Sequence, residues 1–508
     1  MTLISINTAE SKLNQLSELG LKDKVSAETY DKLCAMVIQG SDLITVLRTS
    51  SCYEFSTDNH SSAINIYEAL LTYLTQHCEI QDRDSILVDS IIGFAQLIEF
   101  NRKRYSIIKS YLKMGLDISI KLNDLRKQTL IYLNLGLYHY LSLSNKEADN
   151  YFSKGFEMAD RLGDSNILLQ TEYFRGHYNI MQGHVQHAIT YFERVLFHKP
   201  FTLGLLPTRT VIFHLSIVYL NAGEFYQAIN LLESSIETAQ QAGAHFYVRF
   251  YRIHLCWAFL MLGEIEKAFS IINLLKRDKG NWDDYSLFTF KRLEIDYWYL
   301  RGNYELAYQL KCKTLKLEEQ LGIHTTIHPL LPELLYCFKN NGFDSIPGYE
   351  YDTYIEKNID SGCKFMQGIA WRVKARYSLQ KGRNFDTIWS FFKKSEYKLE
   401  NAGCRIELAK TRIEMAMFKL KNCNDTKSAQ KLAVLAWSSI SLYKNIPFPE
   451  ELLSFVNTKN DDLEVSNPDI SVYVNFLDLL NEIVPSGNQN DFLNHILIMV
   501  VHFFLADS

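Results

Sequence analysis

Helix-interrupting residues are scarce in this chain: 9 prolines and 23 glycines are spread over 508 positions. A sandwich or barrel of short strands needs many more turn residues, so the scarcity points to long helices joined by short turns. The charge has no basic excess, at a formal −5. Nucleic-acid-binding domains present a basic face to phosphates, so no direct nucleic-acid binding is expected. The one tight basic cluster noted, Arg102-Lys103-Arg104, reads as a solvated turn between helices.

The nine cysteines, at 34, 52, 78, 256, 312, 337, 363, 404 and 423, include no pair at the two-residue spacing of zinc and redox motifs. An odd, scattered set reads as unbridged core thiols in a reducing compartment. Met1 to Asn14 carries no basic segment followed by an apolar run and a cleavage site. The apolar run Ile496 to Leu505 is too short to span a bilayer and is interrupted by His502. A cytoplasmic protein with no membrane partner is expected. Chemical motifs are lacking too, since there is no Gly-rich phosphate loop ending in Lys-Ser or Lys-Thr and no His-Glu-x-x-His helix.

What the chain does have is a repeat. The segments 178-YNIMQGHVQHAITYFERVL, 218-VYLNAGEFYQAINLLESSI, 258-AFLMLGEIEKAFSIINLLK and 297-YWYLRGNYELAYQLKCKTL each place an alanine five residues after a glycine. The glycines, Gly183, Gly223, Gly263 and Gly302, are 40, 40 and 39 residues apart, and the alanines are Ala188, Ala228, Ala268 and Ala307. Weaker copies extend the ruler to Ala148, Gly342 and Gly382, then to Asn422 in the glycine role. The Asn101 to Tyr105 and Asp58-Asn59 turns continue it backwards, giving about nine or ten units from residue 55 to 445.

Seven residues before the turn glycine stands a compact residue, as at Gly176, Ser216, Cys256 and Ala375. Small residues there and at the alanine position let the two helices of a hairpin approach closely. Apolar residues between them recur at helical spacing, as in Ile189, Phe192, Val195 and Leu196. Such short helices are marginal alone and gain stability by stacking. Second helices close at Leu162-Gly163-Asp164, Ala242-Gly243, Leu321-Gly322 and Ala402-Gly403, where glycine accepts the left-handed conformation.

These residues resemble the tetratricopeptide repeat over about 390 of 508 positions. The usual tetratricopeptide period is about 34, and the six extra residues per unit resemble the long-helix variant of bacterial regulators, the maltose activator and the peptide-sensing cytoplasmic regulators among them. HEAT-type repeats approach this length, but do not explain the compact positions and turn glycines together. The expected fold is all-α, a right-handed superhelical solenoid. The N-terminal cap is expected over 1–54, the solenoid over 55–445, a linker over 446–470 and a C-terminal helical pair over 471–508. Pro329, Pro332 and Pro347 mark an irregular unit near 325–360.

Two C-terminal stretches carry a further likeness. The runs 400-ENAGCRIELAKTRIEMA, 432-LAVLAWSSI and 447-PFPEELLSFV resemble the end of the tetratricopeptide sensory segment in bacterial enhancer-binding activators. The last forty residues are similar to the helical lead-in to their GAF domain. The chain stops where that domain's sheet would begin, as either a fragment or a short relative would.

The concave face of such arrays usually holds extended or helical peptides, so the resemblance implies a scaffold or sensor with a protein or peptide partner and no catalytic role. A ligand-gated regulator of a small molecule or short signalling peptide is the alternative. One residue past the compact position come His177, Ile217 and Trp257, near Tyr173, Phe213, Arg249 and Arg252. This patch is the candidate groove, with aromatics stacking and arginines holding acidic groups.

No cofactor or metal is expected. His184 with His187 and His324 with His328 have metal-compatible spacing but no further ligand placed beside them. Cys404 stands near a helix start, where a thiol pKa can fall, yet lacks a base and reads as structural. Glu264 with Glu266 and Asp283 with Asp284 read as solvated caps.

Overall fold

The computed structural model describes residues 3–56, 59–97, 105–142, 144–197, 208–278, 282, 284–321, 328–441, 443 and 447–457. Among these residues the regular structure is helix throughout. The helices are α1 (Leu3–Glu18), α2 (Ala27–Ile38), α3 (Leu43–Ser56), α4 (His60–Gln76), α5 (Arg83–Ala95), α6 (Tyr105–Lys121), α7 (Leu125–Leu141) and α8 (Asn145–Leu162). There follow α9 (Ser165–Gln182), α10 (Val185–Phe197), α11 (Thr208–Ala222), α12 (Phe225–Gln241), α13 (His245–Met261), α14 (Ile265–Arg277), α15 (Asp284–Leu300) and α16 (Tyr304–Leu321). The last are α17 (Leu331–Asn340), α18 (Tyr351–Ile359), α19 (Lys364–Gln380), α20 (Phe385–Ala402), α21 (Arg405–Cys423), α22 (Thr426–Ile440) and α23 (Glu450–Asn457).

From α3 onward the helices pack as successive hairpins, and each hairpin leans on the next. The five alanines of the ruler, at 148, 188, 228, 268 and 307, are all fully buried between helices. Close approach is direct at Gly176, where a Cβ would lie 2.7 Å from the Phe192 ring. In the α13–α14 hairpin the Cys256 thiol donates to the Ala268 carbonyl at 3.3 Å. The ruler's glycines at 183, 223, 263, 302, 342 and 382 have positive φ, as the turn geometry requires. Asn422 does not take that role: it lies inside α21, and Asn424 adopts the left-handed conformation at φ 51°.

First and second helices are buried differently. In α8 the buried positions Ala148, Phe152, Gly155 and Ala159 form one stripe. In α13 burial runs on nearly every side from Phe246 to Leu260, because first helices are flanked by neighbouring hairpins and also face the interior.

The proline-bearing unit is short, with α17 and α18 of 10 and 9 residues, and Pro332 in the first turn of α17, where its missing N–H costs nothing. The boundary expected between residues 54 and 55 falls inside α3, which packs against α4 as a hairpin. Within the stretch expected as linker, Glu450–Asn457 forms α23, with Leu452 fully buried. Its apolar residues recur at helical spacing after Pro449. The helical pair expected over 471–508, and Arg102-Lys103-Arg104, lie outside the described residues.

The array folds back on itself in a constant register. The α9–α10 turn meets the start of α19, where His184 Nε2 and Lys364 Nζ are 2.7 Å apart. The α11–α12 turn meets the start of α21: Arg405 pairs with Glu224 at 3.0 Å, and the Tyr443 hydroxyl donates to the Gly223 carbonyl at 2.8 Å. At the α3–α4 turn, His60 packs edge-on against Phe246 near the start of α13, with ring centroids 4.4 Å apart. In each case the partner hairpin is the fifth one along. This repeated seam turns the inner face of the array into an enclosed groove.

Candidate functional site

The groove is built by the first helices α9, α11, α13 and α15, with α18 and the start of α19 facing them. Two adjoining compartments run along it. The wider, of about 400 Å³, is lined by His177, Phe213, His214, Phe250, His254 and Trp257 on one side and by Tyr354, Lys357, Asn358 and Met366 on the other. The narrower, of about 380 Å³, is lined by residues including Phe225, Leu260, Asp296, His328, Ile406 and Lys410. Ile217, Asn221, Trp257 and Arg292 line both, so the compartments share one wall.

That wall is held by a polar cluster. Trp257 donates through Nε1 to Asp296 Oδ2 at 2.9 Å, and His328 Nε2 lies 2.9 and 3.1 Å from the two Asp296 oxygens. Burial, reinforced by the neighbouring Arg292 charge, pushes the His328 pKa down to about 4, although Asp296 pulls the other way. His328 is therefore neutral near pH 7 and donates to the Asp296 carboxylate. The Arg292 guanidinium lies over the Trp257 ring, 4.8 Å from its centroid. His254 also stacks on Trp257 and pairs through Nδ1 with the Ser216 hydroxyl at 2.8 Å. Burial holds the His254 pKa at about 3. Trp257 is thus held by the Arg292 and His254 contacts to its ring and by the Asp296 bond at its edge, a preorganised aromatic platform.

Of the residues picked from the sequence, His177, Phe213 and Trp257 line the groove. Tyr173 does not: it is 1% exposed and its ring packs edge-on against Phe174, His177 and Phe192 inside the hairpin. Arg249 faces away and pairs with Asp278 at 3.0 Å, its guanidinium over Trp282. Arg252 is half-buried outside both compartments, where burial depresses its pKa against the attraction of Asp278. Both arginines sit on faces of α13 turned toward the end of α14, as their shared carboxylate indicates.

Reasoning on the sequence missed His214, His254, Arg292 and Asp296, and set His328 aside as half of a histidine pair with no carboxylate beside it, whereas it bonds Asp296. The repeat ruler held the signal for one of them: the ladder His177, Ile217, Trp257 has Asp296 as its next rung, six residues before Gly302.

The other candidates resolve simply. Lys364 engages His184, which is kept neutral by burial and by the Lys364 charge, so His184 serves the seam while His187 is exposed. Among the described residues no group of three or more potential metal ligands converges. His324 and Asp283 lie outside the described residues. Burial pushes the Cys404 thiol well above its usual pKa, overriding the helix start, so it stays protonated. Glu264 pairs with Lys267 at 3.6 Å on the surface of its turn.

The fold and groove define a class, the tetratricopeptide-type helical solenoid. The structure of a Rap protein complexed with competence and sporulation factor is similar to this chain at TM-score 0.51 and 12% identity, covering 70% of this chain and 98% of its own. The apo quorum sensor NprR of B. thuringiensis aligns at TM-score 0.38 and 14% identity, covering 78% of this chain and 97% of its own. No family model matches the sequence, and a comparison with curated proteins returned no match. Among the described residues no helix is long and apolar enough to cross a membrane.

Proposed function

We propose that the chain is a regulatory module that binds a peptide or an extended protein segment in its inner groove and acts through protein contacts, with no reaction of its own. The observation that carries this reading is the continuity of two compartments along successive first helices, sharing the wall at Ile217, Asn221, Trp257 and Arg292. A channel of that kind matches an elongated ligand, aromatic walls taking side chains while amides at Asn145, Asn221 and Asn358 offer donors and acceptors to a peptide backbone. The fold shared with a Rap protein solved with competence and sporulation factor supports it.

Nine free thiols suit a reducing, cytoplasmic setting. A bacterial signalling or transcription-control context is part of the same proposal, as is the likeness of the C-terminal stretch to the lead-in of a GAF domain. The second reading, a small-molecule-gated regulator, draws on the compartment volumes, each within the range of about 300–1,000 Å³ of small-ligand pockets.

The deciding experiment is a thermal-shift screen of the full chain against metabolites and against random heptapeptides, with Trp257→Phe as the groove variant. Stabilisation by peptides that the variant weakens supports the proposal. Stabilisation by metabolites alone supports the second reading, and no response to either class overturns both.

A further inference from the structure

Among the described residues, the charged groups that line the narrower compartment are already committed. Asp296 holds Trp257 and His328, Glu407 holds Arg372 and Lys410, and Arg292 lies over the Trp257 ring in the field of Asp296 and Glu318. Apart from the Asn221 amide at the shared wall, what remains for a ligand is mainly apolar surface, and it comes from both sides of the seam. Phe225, Leu260 and Met261 belong to α12 and α13, Leu330 directly precedes α17, and Phe365 and Ile406 lie at the starts of α19 and α21. Phe225, Met261 and Ile406 also join one apolar cluster that ties the α11–α12 turn to α21.

We infer that the narrower compartment receives one branched aliphatic or aromatic side chain of the peptide, and that this side chain, held between Met261 and Ile406, fastens the two sides of the seam together. The inference rests on the peptide reading above and adds to it the residue class the ligand must carry and the contact its binding strengthens.

Two physical arguments support the assignment. A polar or charged side chain entering the compartment would lose its water and find the charged lining groups already bonded, so its desolvation is not offset. An apolar side chain gives up no hydrogen bond and removes apolar wall from water. The wider compartment differs, because Asn145, Lys357 and Asn358 line it and offer polar groups. The second argument is linkage: a side chain that touches Met261 and Ile406 together gains both contacts only while α13 and α21 stay in place, so binding and seam closure favour each other.

The probe is a pool of random heptapeptides in two forms. One is built from glycine, alanine, serine, threonine, asparagine and glutamine; the other is identical but carries a single leucine, isoleucine, methionine or phenylalanine at a varied position. Affinity selection on the full chain, read by mass spectrometry, is expected to enrich the second form about tenfold or more, the effect of burying one such side chain. Amide hydrogen exchange from Arg405 to Ala409, at the start of α21, is expected to slow with enriched peptides of the second form and to stay unchanged with the first.

Leu300→Asp puts a charge at the exposed end of α15, beside the narrower compartment alone, and should abolish the enrichment. Ile265→Trp, at the start of α14, should do the same by filling the space, and circular dichroism identifies which variants are folded. Lys357→Ser, in the wider compartment, should leave the enrichment intact. Equal binding of the two forms, enrichment that survives in folded Leu300→Asp and Ile265→Trp, or enrichment lost only in Lys357→Ser overturns the side-chain assignment and leaves the peptide reading standing. Exchange at the start of α21 that does not respond to an enriched peptide overturns the fastening of the seam. Binding of neither form overturns the assignment and the peptide reading together.

Discussion

Replacing Gly183 with alanine tests the seam that encloses the groove. Gly183 sits in the α9–α10 turn at φ +72°, and an added Cβ would lie 2.5 Å from the backbone nitrogen of Lys364 and 2.7 Å from that of Phe365. Gly163 is a matched control, with φ +60° and nothing within 4 Å of its added Cβ. Either substitution forces an L side chain into the left-handed region, at a cost of about 1–2 kcal/mol. Only at Gly183 must two main-chain segments distant in sequence separate as well, because the atoms in the way are backbone and cannot rotate aside.

Overpacking of this kind adds about 1–3 kcal/mol. The expected losses are therefore about 1–2 kcal/mol for Gly163→Ala and about 2–5 kcal/mol for Gly183→Ala. Urea unfolding followed by circular dichroism gives the two values. Amide hydrogen exchange over the start of α19 gives the local consequence, and remains meaningful if the array does not unfold in one step. Equal destabilisation by the two variants, with unchanged exchange at Lys364 to Ile369, would refute the claim that the seam is a stabilising contact.

Arg372 is fully buried among Glu333, Glu407 and Glu414, which lie on α17 and α21. Arg372→Met removes the buried partner these carboxylates share, leaving Glu333 and Glu414 to Arg376 and Glu407 to Lys410, and should cost about 3–5 kcal/mol in urea unfolding, part of which Arg372→Met with Glu407→Leu recovers. Acid should destabilise the chain in two stages. His254 and His328 titrate at about 3 and 4 when folded against an ordinary value of 6.5, so the unfolded state binds more protons and stability falls as pH drops from 6.5 toward 4. Glu333 and Glu407, both held below the usual carboxylate pKa of 4.5 by Arg376, Arg372 and Lys410, contribute stability above that value that is lost as pH falls through their lower folded values. Unfolding midpoints that stay flat from pH 7 to 4.5 would contradict the first stage. Trp257→Phe removes the Nε1 donor to Asp296 and should cost about 1–3 kcal/mol in thermal unfolding; no measurable loss would mean that the platform is not held by that bond.

How far the fold was legible follows from what each residue type can report. The ruler of glycines and alanines was readable because a left-handed cap and a close helix crossing each admit few residue types, and the structure puts them where the spacing says. It slipped at Asn422, since α21, at 19 residues, is longer than the other described first helices and any asparagine nearby can cap. The groove was legible at His177, Phe213 and Trp257 but not at Tyr173 or Arg249. First helices are covered on nearly every side, so a residue one turn away from a lining position is already inside the hairpin or against the next one.

The seam left no trace of its own. Gly183 and Gly223 meet main chain and Ile406 across it, whereas Gly243 and Gly302, with the same sign of φ, meet nothing within 4 Å. One residue type satisfies both demands, so a glycine already explained by its turn conceals the contact that also requires it. Regularity supplies the missing argument. In three hairpins the turn between the helices faces the start of the first helix five hairpins later, and the contacts at His60, His184 and Glu224 follow from a single geometric rule. A ligand that spreads the first helices would load these three contacts in register, which makes the seam the element through which groove occupancy can reach the outer surface.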